Sequence, residues 1–324
     1  MGKYKFLLGS FRNSTISSLF TVAEKVKKQS KRKFIILDML YCSIKYEAAF
    51  YDYLEFEFYN LNSKQRSTFL TNGKNNEIVK RFNDKDYWHI LDNKQEFNDY
   101  FKNYLKRDYL KPNSTKQQFL SFIENKTKII AKPIDGVGGE GIQIYSTNEP
   151  DLYNKTKNAL LEEIITQHHD LSKLYVQSVN SIRVFTFFDG KKAYLLQAIL
   201  KIGNNGIIDN FSSGGMYAFL NEKGTVITPA IDKDDHIYTI HPLSQQHILG
   251  FQVPLFDKII DTALSAAAKI PQIGYIGWDI TVNEKEAIII EGNSYPGVFQ
   301  IKPRFNKEKT GVLPKYEEIM KIKL

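Results

Sequence analysis

The chain has 324 residues, and its 44 lysines and arginines against 36 acidic residues give a net charge of +8 and a pI near 9.1. This length is enough for two or three folding units with large cores. A moderately basic surface suits anionic ligands, but no arginine-rich tract is present, so nucleic acid is not expected as a partner.

The cysteine, histidine and hydropathy patterns argue against several kinds of site and segment. Cys42 is the only cysteine, so neither an intrachain disulfide nor a cysteine-based zinc site can form. His168 and His169 are adjacent rather than spaced along one helix face, and we expect surface or core roles for them. No segment has the apolar length of a signal peptide or a membrane span. We therefore expect a cytoplasmic protein without a transmembrane segment.

The first hundred or so residues are predicted to form a lobe of their own. A short apolar strand near Phe6–Leu8 leads to a helix through residues 16–23, and the lysines of segment 25–33 are expected to lie on a solvated helix side. Residues 34–40 are apolar and fit either a buried strand or the start of a helix, because periodicity cannot decide at that length.

Aromatic residues are dense between Tyr46 and Phe69, and an aromatic stripe at helical spacing usually packs a core rather than a ligand. Residues 72–76 are predicted to form a loop. A helix is predicted within residues 90–105, because an acid and an amide precede an amphipathic run. The segment 111–114 contains a proline and breaks this pattern, so the first domain boundary is placed there.

A glycine-rich turn separates two predicted strands, residues 128–133 and 142–145. The first strand carries Lys132 near its end, which supplies a point charge for phosphates. The glycines let backbone amides approach a phosphate closely; they are Gly136, Gly138, Gly139 and Gly141. A P-loop or a dinucleotide-binding turn would open a helix instead, so this turn is neither.

The next segment, residues 160–165, is predicted to be an apolar strand with acids at its end. Glu162 and Glu163 could offer carboxylates to a ribose, while the backbone offers groups to an adenine edge. Residues 181–188 form another predicted strand, and Arg183 within it needs an anionic partner because an unpaired buried guanidinium is costly. That partner is either a ligand or a protein acid such as Glu162.

Lys201 lies on a further predicted strand, residues 197–203. The strand leads to a loop at residues 208–215 that contains Asp209 and Asn210. Small residues in this loop suit a mobile active-site segment.

A hairpin near the end of the sequence carries the most informative acids. Residues 274–280 and 287–293 are rich in β-branched and aromatic residues, and a polar turn joins them. Because side chains alternate along a strand, Asp279, Glu291 and Asn293 can point to one side. Such an oxygen-only cluster suits Mg²⁺. The alternative is a hairpin with ordinary solvent-facing acids.

The order of these motifs resembles the ATP-grasp superfamily: Lys-Pro, a glycine-rich hairpin, Glu-Glu-x-Ile, an arginine strand, Asp-Asn with Gly-Gly, then Asp and Glu-x-Asn. Segments 167–174, 178–183 and 209–215 are similar to its sugar-transfer-associated branch, which is often linked with surface-polysaccharide genes. The resemblance covers about residues 91–293 and the first lobe only loosely. Ser181 departs mildly from the threonine common in this branch.

The resemblance implies an α/β (α+β) ATP-grasp fold that holds a nucleotide between two α+β lobes, with an additional N-terminal lobe. The implied lobes are 1–111, 112–180 with the glycine-rich flap, and 181–324 with the metal site and tail. By the same resemblance, the ATP-binding residues are Lys94, Lys132, the glycines from Gly136 to Gly141, Glu162, Glu163 and Ile165. The implied magnesium ligands are Asp279, Glu291 and Asn293. The implied catalytic residues are Arg183, Lys201 and Asn210.

The expected activity is an ATP-dependent carboxylate–amine ligation through an acyl phosphate, in surface polysaccharide or glycoconjugate biosynthesis. ATP and Mg²⁺ are the expected cofactors, and the expected partners are a small-molecule carboxylate and an amine, one of them sugar-linked. Two alternatives stay open: an ATP-grasp kinase acting on a hydroxyl, and a non-catalytic nucleotide-binding module. No sequence motif specifies an oligomeric state.

Overall fold

The computed structural model describes residues 16–30, 33–134, 141–204, 206 and 214–324. The strand predicted at Phe6–Leu8 lies outside these ranges. The chain divides into two compact units, one made of residues 1–82 with 297–324 and the other of residues 83–296. The three lobes inferred from the sequence stay a prediction.

The first unit is helical. Its α-helices span Ile16–Gln29, Ile35–Lys45, Phe50–Glu55, Ser63–Arg66, Asn72–Phe82 and Leu313–Met320, with 3₁₀ helices at Phe58–Asn60 and Pro303–Phe305. The helix predicted through residues 16–23 is confirmed. The apolar segment 34–40 fitted either a strand or the start of a helix, and the second helix begins within it, at Ile35.

The aromatic residues between Tyr46 and Phe69 form the core of this unit, as predicted. Most of them are buried together, and Tyr51 is the exception, with its side chain exposed. Arg66 lies inside this core, where it forms two hydrogen bonds with the carboxylate of Asp38, at 2.9 and 2.7 Å, and also donates to the carbonyl of Phe58. The buried guanidinium is therefore fully compensated by acceptors.

The loop prediction for residues 72–76 is wrong, because a helix begins at Asn72. The buried carboxylate of Asp52 accepts hydrogen bonds from the backbone and side chain of Asn72 and from the backbone of Ala49. These contacts satisfy a donor at the helix start that the local sequence leaves open. Burial raises the pKa of Asp52 to about 6. Tertiary contacts thus override the weak helix propensity of this polar stretch.

The C-terminal segment completes the first unit through Gln300. Its side-chain amide donates to the carbonyl of Leu70 and accepts from the same residue's N–H, both at 2.9 Å. The Gln300 oxygen also accepts from the N–H of Val312. At Gly311 an added Cβ would lie 2.6 Å from the Cα of Phe69, so this position has no room for a side chain.

The second unit contains two antiparallel sheets. Its strands in chain order are β1 Tyr109–Leu110, β2 Lys128–Lys132, β3 Gln143–Ser146, β4 Leu160–Glu163, β5 Ser181–Phe188, β6 Ala193–Ile202, β7 Met216–Phe219, β8 Ala230–Asp232, β9 Ile237–Tyr238, β10 Tyr275–Val282 and β11 Ala287–Asn293. The smaller sheet has the order β1-β4-β2-β3, and the larger has the order β11-β10-β5-β6-β7-β8-β9. The predicted strands at 128–133, 160–165, 181–188 and 197–203 and the final hairpin are confirmed.

Helices cover the larger sheet. The second unit's α-helices are His89–Asp92, Lys94–Tyr100, Lys102–Leu105, Lys116–Ile123, Leu152–Thr156, His169–Leu174 and Phe256–Lys269, and a 3₁₀ helix spans Lys85–Tyr87. The long helix Phe256–Lys269 packs on β5, β6, β10 and β11. None of the helices in the described ranges is long and apolar enough to span a membrane.

Candidate active site

Three neighbouring strands place charged residues in one row across the larger sheet. Asp279 on β10 lies directly opposite Arg183 on β5 and directly opposite Glu291 on β11. Residues opposite one another in antiparallel strands point to the same face, so the two carboxylates and the guanidinium share a surface. Asn293 lies two residues beyond Glu291, opposite Gly277. The strand register therefore places the three oxygen-bearing residues on one face of the sheet, and their role as metal ligands stays a prediction.

Asp279 is buried and makes ion pairs with two cations. The Nε and Nη2 atoms of Arg183 donate to its two carboxylate oxygens, the second at 2.8 Å, and Nζ of Lys201 lies 3.2 Å from Oδ2. Burial alone would raise the pKa of Asp279, but the charges of Arg183 and Lys201 hold it well below its usual range. The protein acid that Arg183 requires is thus Asp279, and not Glu162.

Glu291 differs from Asp279 in its surroundings. The residue keeps exposed surface, and its carboxyl group lies close to the negative charge of Asp279. Burial, together with the repulsion from Asp279, raises the pKa of Glu291. Crowded carboxylates of this kind are relieved by a shared cation.

The amide of Asn293 is oriented by the backbone. Its Nδ2 donates to the carbonyl of Gly277 at 3.0 Å, which leaves Oδ1 as the atom for a ligand. With the carboxylates of Asp279 and Glu291, this oxygen gives a donor set that fits Mg²⁺, a hard cation that takes oxygen ligands.

Two glycines allow this row to form. At Gly277 an added Cβ would lie 3.0 Å from the Cβ of Pro296 and 3.3 Å from Cδ of Arg183, so the arginine stem passes over a position without a side chain. At Gly292 an added Cβ would lie 3.0 Å from the ring of Trp278. The indole fills that space and donates from Nε1 to Oγ1 of Thr186 at 2.9 Å, which fixes β10 against β5.

A second charged cluster joins the smaller sheet to β11. The carboxylate of Glu162, which is 2% exposed, accepts from Nζ of Lys132 at 2.7 Å, from Nε of Arg107 at 2.9 Å and from Nδ2 of Asn98 at 2.8 Å. Arg107 also donates to the carbonyl of Ile289 on β11 at 2.7 Å. Burial would raise the pKa of Glu162, but the charges of Arg107 and Lys132 hold it well below its usual range.

The glycine-rich turn is described only at its edges. Gly136, Gly138 and Gly139 lie outside the described residues, and so do Asp209 and Asn210. Gly141 has a φ of +73°, and an added Cβ would lie 2.7 Å from Cγ of Pro133. Both its backbone angle and its closeness to the strand end therefore require glycine.

The other predicted nucleotide residues lie on the same unit. Lys94 begins a helix that is capped by Asn93 and packs against β11. Glu163 is half-buried and accepts from the N–H of Asp108 at 3.2 Å, and Ile165 is half-buried beyond the end of β4. An open depression beside Glu163 is lined by Lys102, Asn103, Lys106, Arg107 and Asp108. Contact of Lys94, Glu163 and Ile165 with a nucleotide stays a prediction.

Sequence reasoning missed Arg107 and Asn98. Both residues hold the carboxylate of Glu162, but neither lies in a motif, because their role depends on contacts between segments far apart in the chain. One feature of the sequence pointed to such partners: Glu162 is an acid in an apolar strand, and a buried acid needs cations nearby.

Residues 149–304 match the family model described as sugar-transfer associated ATP-grasp. Similar solved structures include the ATP-grasp ligase PsnB complexed with precursor peptide PsnA2 and AMPPNP, at 14% identity and a TM-score of 0.40 over 73% of this chain and 61% of that chain. The ADP complex of purK, an N5-carboxyaminoimidazole ribonucleotide synthetase, is 12% identical with a TM-score of 0.44 over 72% of this chain and 52% of that chain.

D-alanine-D-alanine ligase from Helicobacter pylori is 14% identical with a TM-score of 0.40, over 64% of this chain and 55% of that chain. The chain therefore spans between 52 and 61% of the length of these three solved chains. No curated protein matches the chain.

Proposed function

We propose that the chain is an ATP-dependent carboxylate–amine ligase of the ATP-grasp type, and the match of residues 149–304 to the sugar-transfer associated ATP-grasp family model supports this proposal. The α+β class expected from the sequence is confirmed by its helices and its two antiparallel sheets. The observation that carries the proposal is the row of Arg183, Asp279 and Glu291, which lies within the matched residues.

Lys132 and its neighbours suit the phosphates of ATP. One acid, Glu162, balances two cations, Lys132 and Arg107, so the cluster keeps an excess positive charge. Lys132 ends the strand that leads into the glycine-rich turn, where backbone amides would add donors for the same anion. An anionic ligand there would complete the charge balance of the cluster.

Arg183 and Lys201 suit the transferring phosphoryl group. Arg183 and Lys201 both bind the carboxylate of Asp279 and bring two positive charges to this face of the sheet. A divalent cation at Asp279, Glu291 and Asn293 would supply charge neutralisation for phosphate oxygens. The two basic side chains would then share their charge between Asp279 and the phosphoryl oxygens, which stabilises the charge of the transition state.

In the proposed reaction, a substrate carboxylate attacks the γ-phosphorus of ATP, and the bond to ADP breaks. The resulting acyl phosphate reacts with an amine, whose nitrogen forms the amide while phosphate leaves and the amine proton passes to solvent or base. Excluding water matters because water would hydrolyse the acyl phosphate. Sugar-linked acids and amino acids are the substrate class that we propose from the family match.

Trapping with hydroxylamine tests the proposal. The protein is incubated with Mg²⁺, ATP and a panel of sugar acids, and hydroxylamine replaces the amine. A hydroxamate that forms together with ADP supports a ligase that activates a carboxylate. A stable phosphoester would indicate a kinase, and the absence of ATP-dependent product with every acid, amine and alcohol supplied would contradict both activities.

We expect Arg183→Lys to lower kcat at least about tenfold per folded molecule, because lysine keeps the charge but loses the planar fork that would serve the phosphoryl oxygens. The measurement is ADP release under saturating substrates, corrected for the folded fraction from thermal melting. If kcat per folded molecule stayed at the wild-type value, Arg183 would serve only the ion pair with Asp279.

Arg66→Lys is the matched control. Arg66 also forms a two-pronged ion pair with an aspartate, Asp38, in the core of the other unit. Its replacement should lower the melting temperature by losing the same kind of fork, while kcat per folded molecule stays unchanged. A parallel loss of kcat in both variants would indicate a general stability effect.

A further inference from the structure

A cluster of two histidines and a glutamate lies away from the proposed active-site row. His168 and His169 lie at the start of the helix His169–Leu174, and Glu284 lies in the turn between β10 and β11. One donor atom from each of the three residues lies within 4.8 Å of the others, and no other such group occurs among the described residues. The cluster combines two imidazoles with one carboxylate.

Two of the three separations between the donor atoms are close to those around a tetrahedral metal ion. Nε2 of His168 lies 3.4 Å, and Nδ1 of His169 lies 3.0 Å, from the same oxygen of Glu284. Tetrahedral bonds of about 2.0–2.1 Å place neighbouring donors about 3.3 Å apart. The two rings stack with centroids 4.4 Å apart, and each has a nitrogen near the same Glu284 oxygen.

A second carboxylate lies behind both rings. Oδ1 of Asp170 is 3.3 Å from Nε2 of His169, and its Oδ2 is 3.7 Å from Nδ1 of His168. In metal sites a carboxylate commonly accepts the proton of the ring nitrogen that does not bind the metal. The N–H of Asp170 donates to Nδ1 of His168, so that ring must exchange this contact for a bond to the Asp170 carboxylate when Nε2 binds a cation.

Hydrogen bonds hold the backbone of the histidine segment. The backbone N–H of His168 donates to the carbonyl of Val282 at 2.7 Å, just before the turn that carries Glu284. The side chain of Gln167 donates to the carbonyls of Tyr175 and Ser178 and accepts from the N–H of Asn180. These contacts hold the backbone that carries the two histidines, which lowers the cost of ordering the cluster when an ion binds.

We propose that His168, His169 and Glu284 bind a Zn²⁺-type divalent transition metal. Imidazole nitrogens favour such ions over Mg²⁺, which the oxygen donors of Asp279 and Glu291 favour. Three protein ligands leave a fourth position for water. The bound ion fastens the turn between β10 and β11 to the segment that begins the helix His169–Leu174. This site is independent of the proposed ligase activity.

Zinc binding to the full chain tests the site. Protein without a histidine tag is stripped with a chelator, and Zn²⁺ alone is titrated by calorimetry with Mg²⁺ in excess, so that oxygen-only sites are occupied. We expect one equivalent of Zn²⁺ to bind and to raise the melting temperature. His169→Ala and Glu284→Gln should each weaken this binding at least about tenfold. Both side chains are more than half exposed, so neither variant should fail to fold.

His236→Ala is the matched control. His236 is an exposed histidine paired with a single acid, Asp232, at 2.9 Å, and it should leave zinc affinity unchanged. The proposal is overturned if wild type binds no equivalent of Zn²⁺, or if the double variant His169→Ala/Glu284→Gln binds Zn²⁺ as tightly as wild type does.

Discussion

Glu291→Gln is expected to lower ATP-dependent turnover at least about a hundredfold, while the fold stays intact. The change keeps the shape of the side chain and removes one of the two carboxylate charges proposed to hold a divalent cation against the phosphates. Glu291 keeps exposed surface and its pKa is raised by burial and by Asp279, so the neutral side chain is tolerated structurally. The measurement is ADP release over a range of Mg²⁺ concentrations, together with a thermal melt.

Two further variants serve as comparisons for Glu291→Gln. Asp279→Asn should also lose turnover, but it leaves the cations of Arg183 and Lys201 without their shared buried partner and should therefore lower stability as well. Glu286→Gln, in the turn of the same hairpin, removes a half-exposed charge paired with Lys106 and should leave turnover unchanged. Wild-type turnover in Glu291→Gln would contradict the magnesium assignment.

Glu162→Gln is expected to destabilise the protein by about 3–5 kcal/mol at neutral pH, since it leaves the charges of Lys132 and Arg107 buried without their acid. Chemical denaturation of both proteins measures the difference in the free energy of unfolding. Glu163→Gln is the control. The neighbouring carboxylate is half-buried and, among the described residues, accepts a single backbone hydrogen bond, from Asp108 at 3.2 Å, so its loss should cost much less.

The stability difference between wild type and Glu162→Gln should depend on pH in a defined direction. The folded-state pKa of Glu162 lies well below its usual value of 4.5, so the carboxylate contributes its full stability above that value and loses it as pH falls further. The difference in unfolding free energy between wild type and Glu162→Gln should therefore shrink as pH is lowered from neutrality to about 3. A difference that is small at pH 7, or that grows in acid, would contradict the role of this carboxylate.

Local patterns predicted the hairpin of β10 and β11 well. Successive side chains of both strands point to opposite faces of the sheet and a polar turn joins the strands, so a shared face for Asp279 and Glu291 follows from a period of two. The same reasoning found the strand that carries Arg183, and burial of an arginine required an acid. That this acid is Asp279 depends on the order of the strands in the sheet, which could not be predicted from the sequence.

Other features depend on contacts that local patterns do not contain. Residues 72–76 look like a loop, and only the carboxylate of Asp52, twenty residues earlier, explains why a helix begins at Asn72. Arg107 joins Glu162 to the carbonyl of Ile289 across a long stretch of sequence. His168 and His169 lack the spacing of a helical metal motif, and their third donor, Glu284, lies in a distant turn.

The path of the chain through its two units has a consequence for biosynthesis. The first unit begins before residue 83 and is completed only after residue 296, when Gln300 bonds to the backbone of Leu70. A ribosome therefore releases every residue of the second unit before the first unit has its last segment. Domains fold as units during synthesis, so the helices around Tyr46 and Phe69 lack the contacts of the last segment, such as that of Val298 with their core, while the larger unit is made.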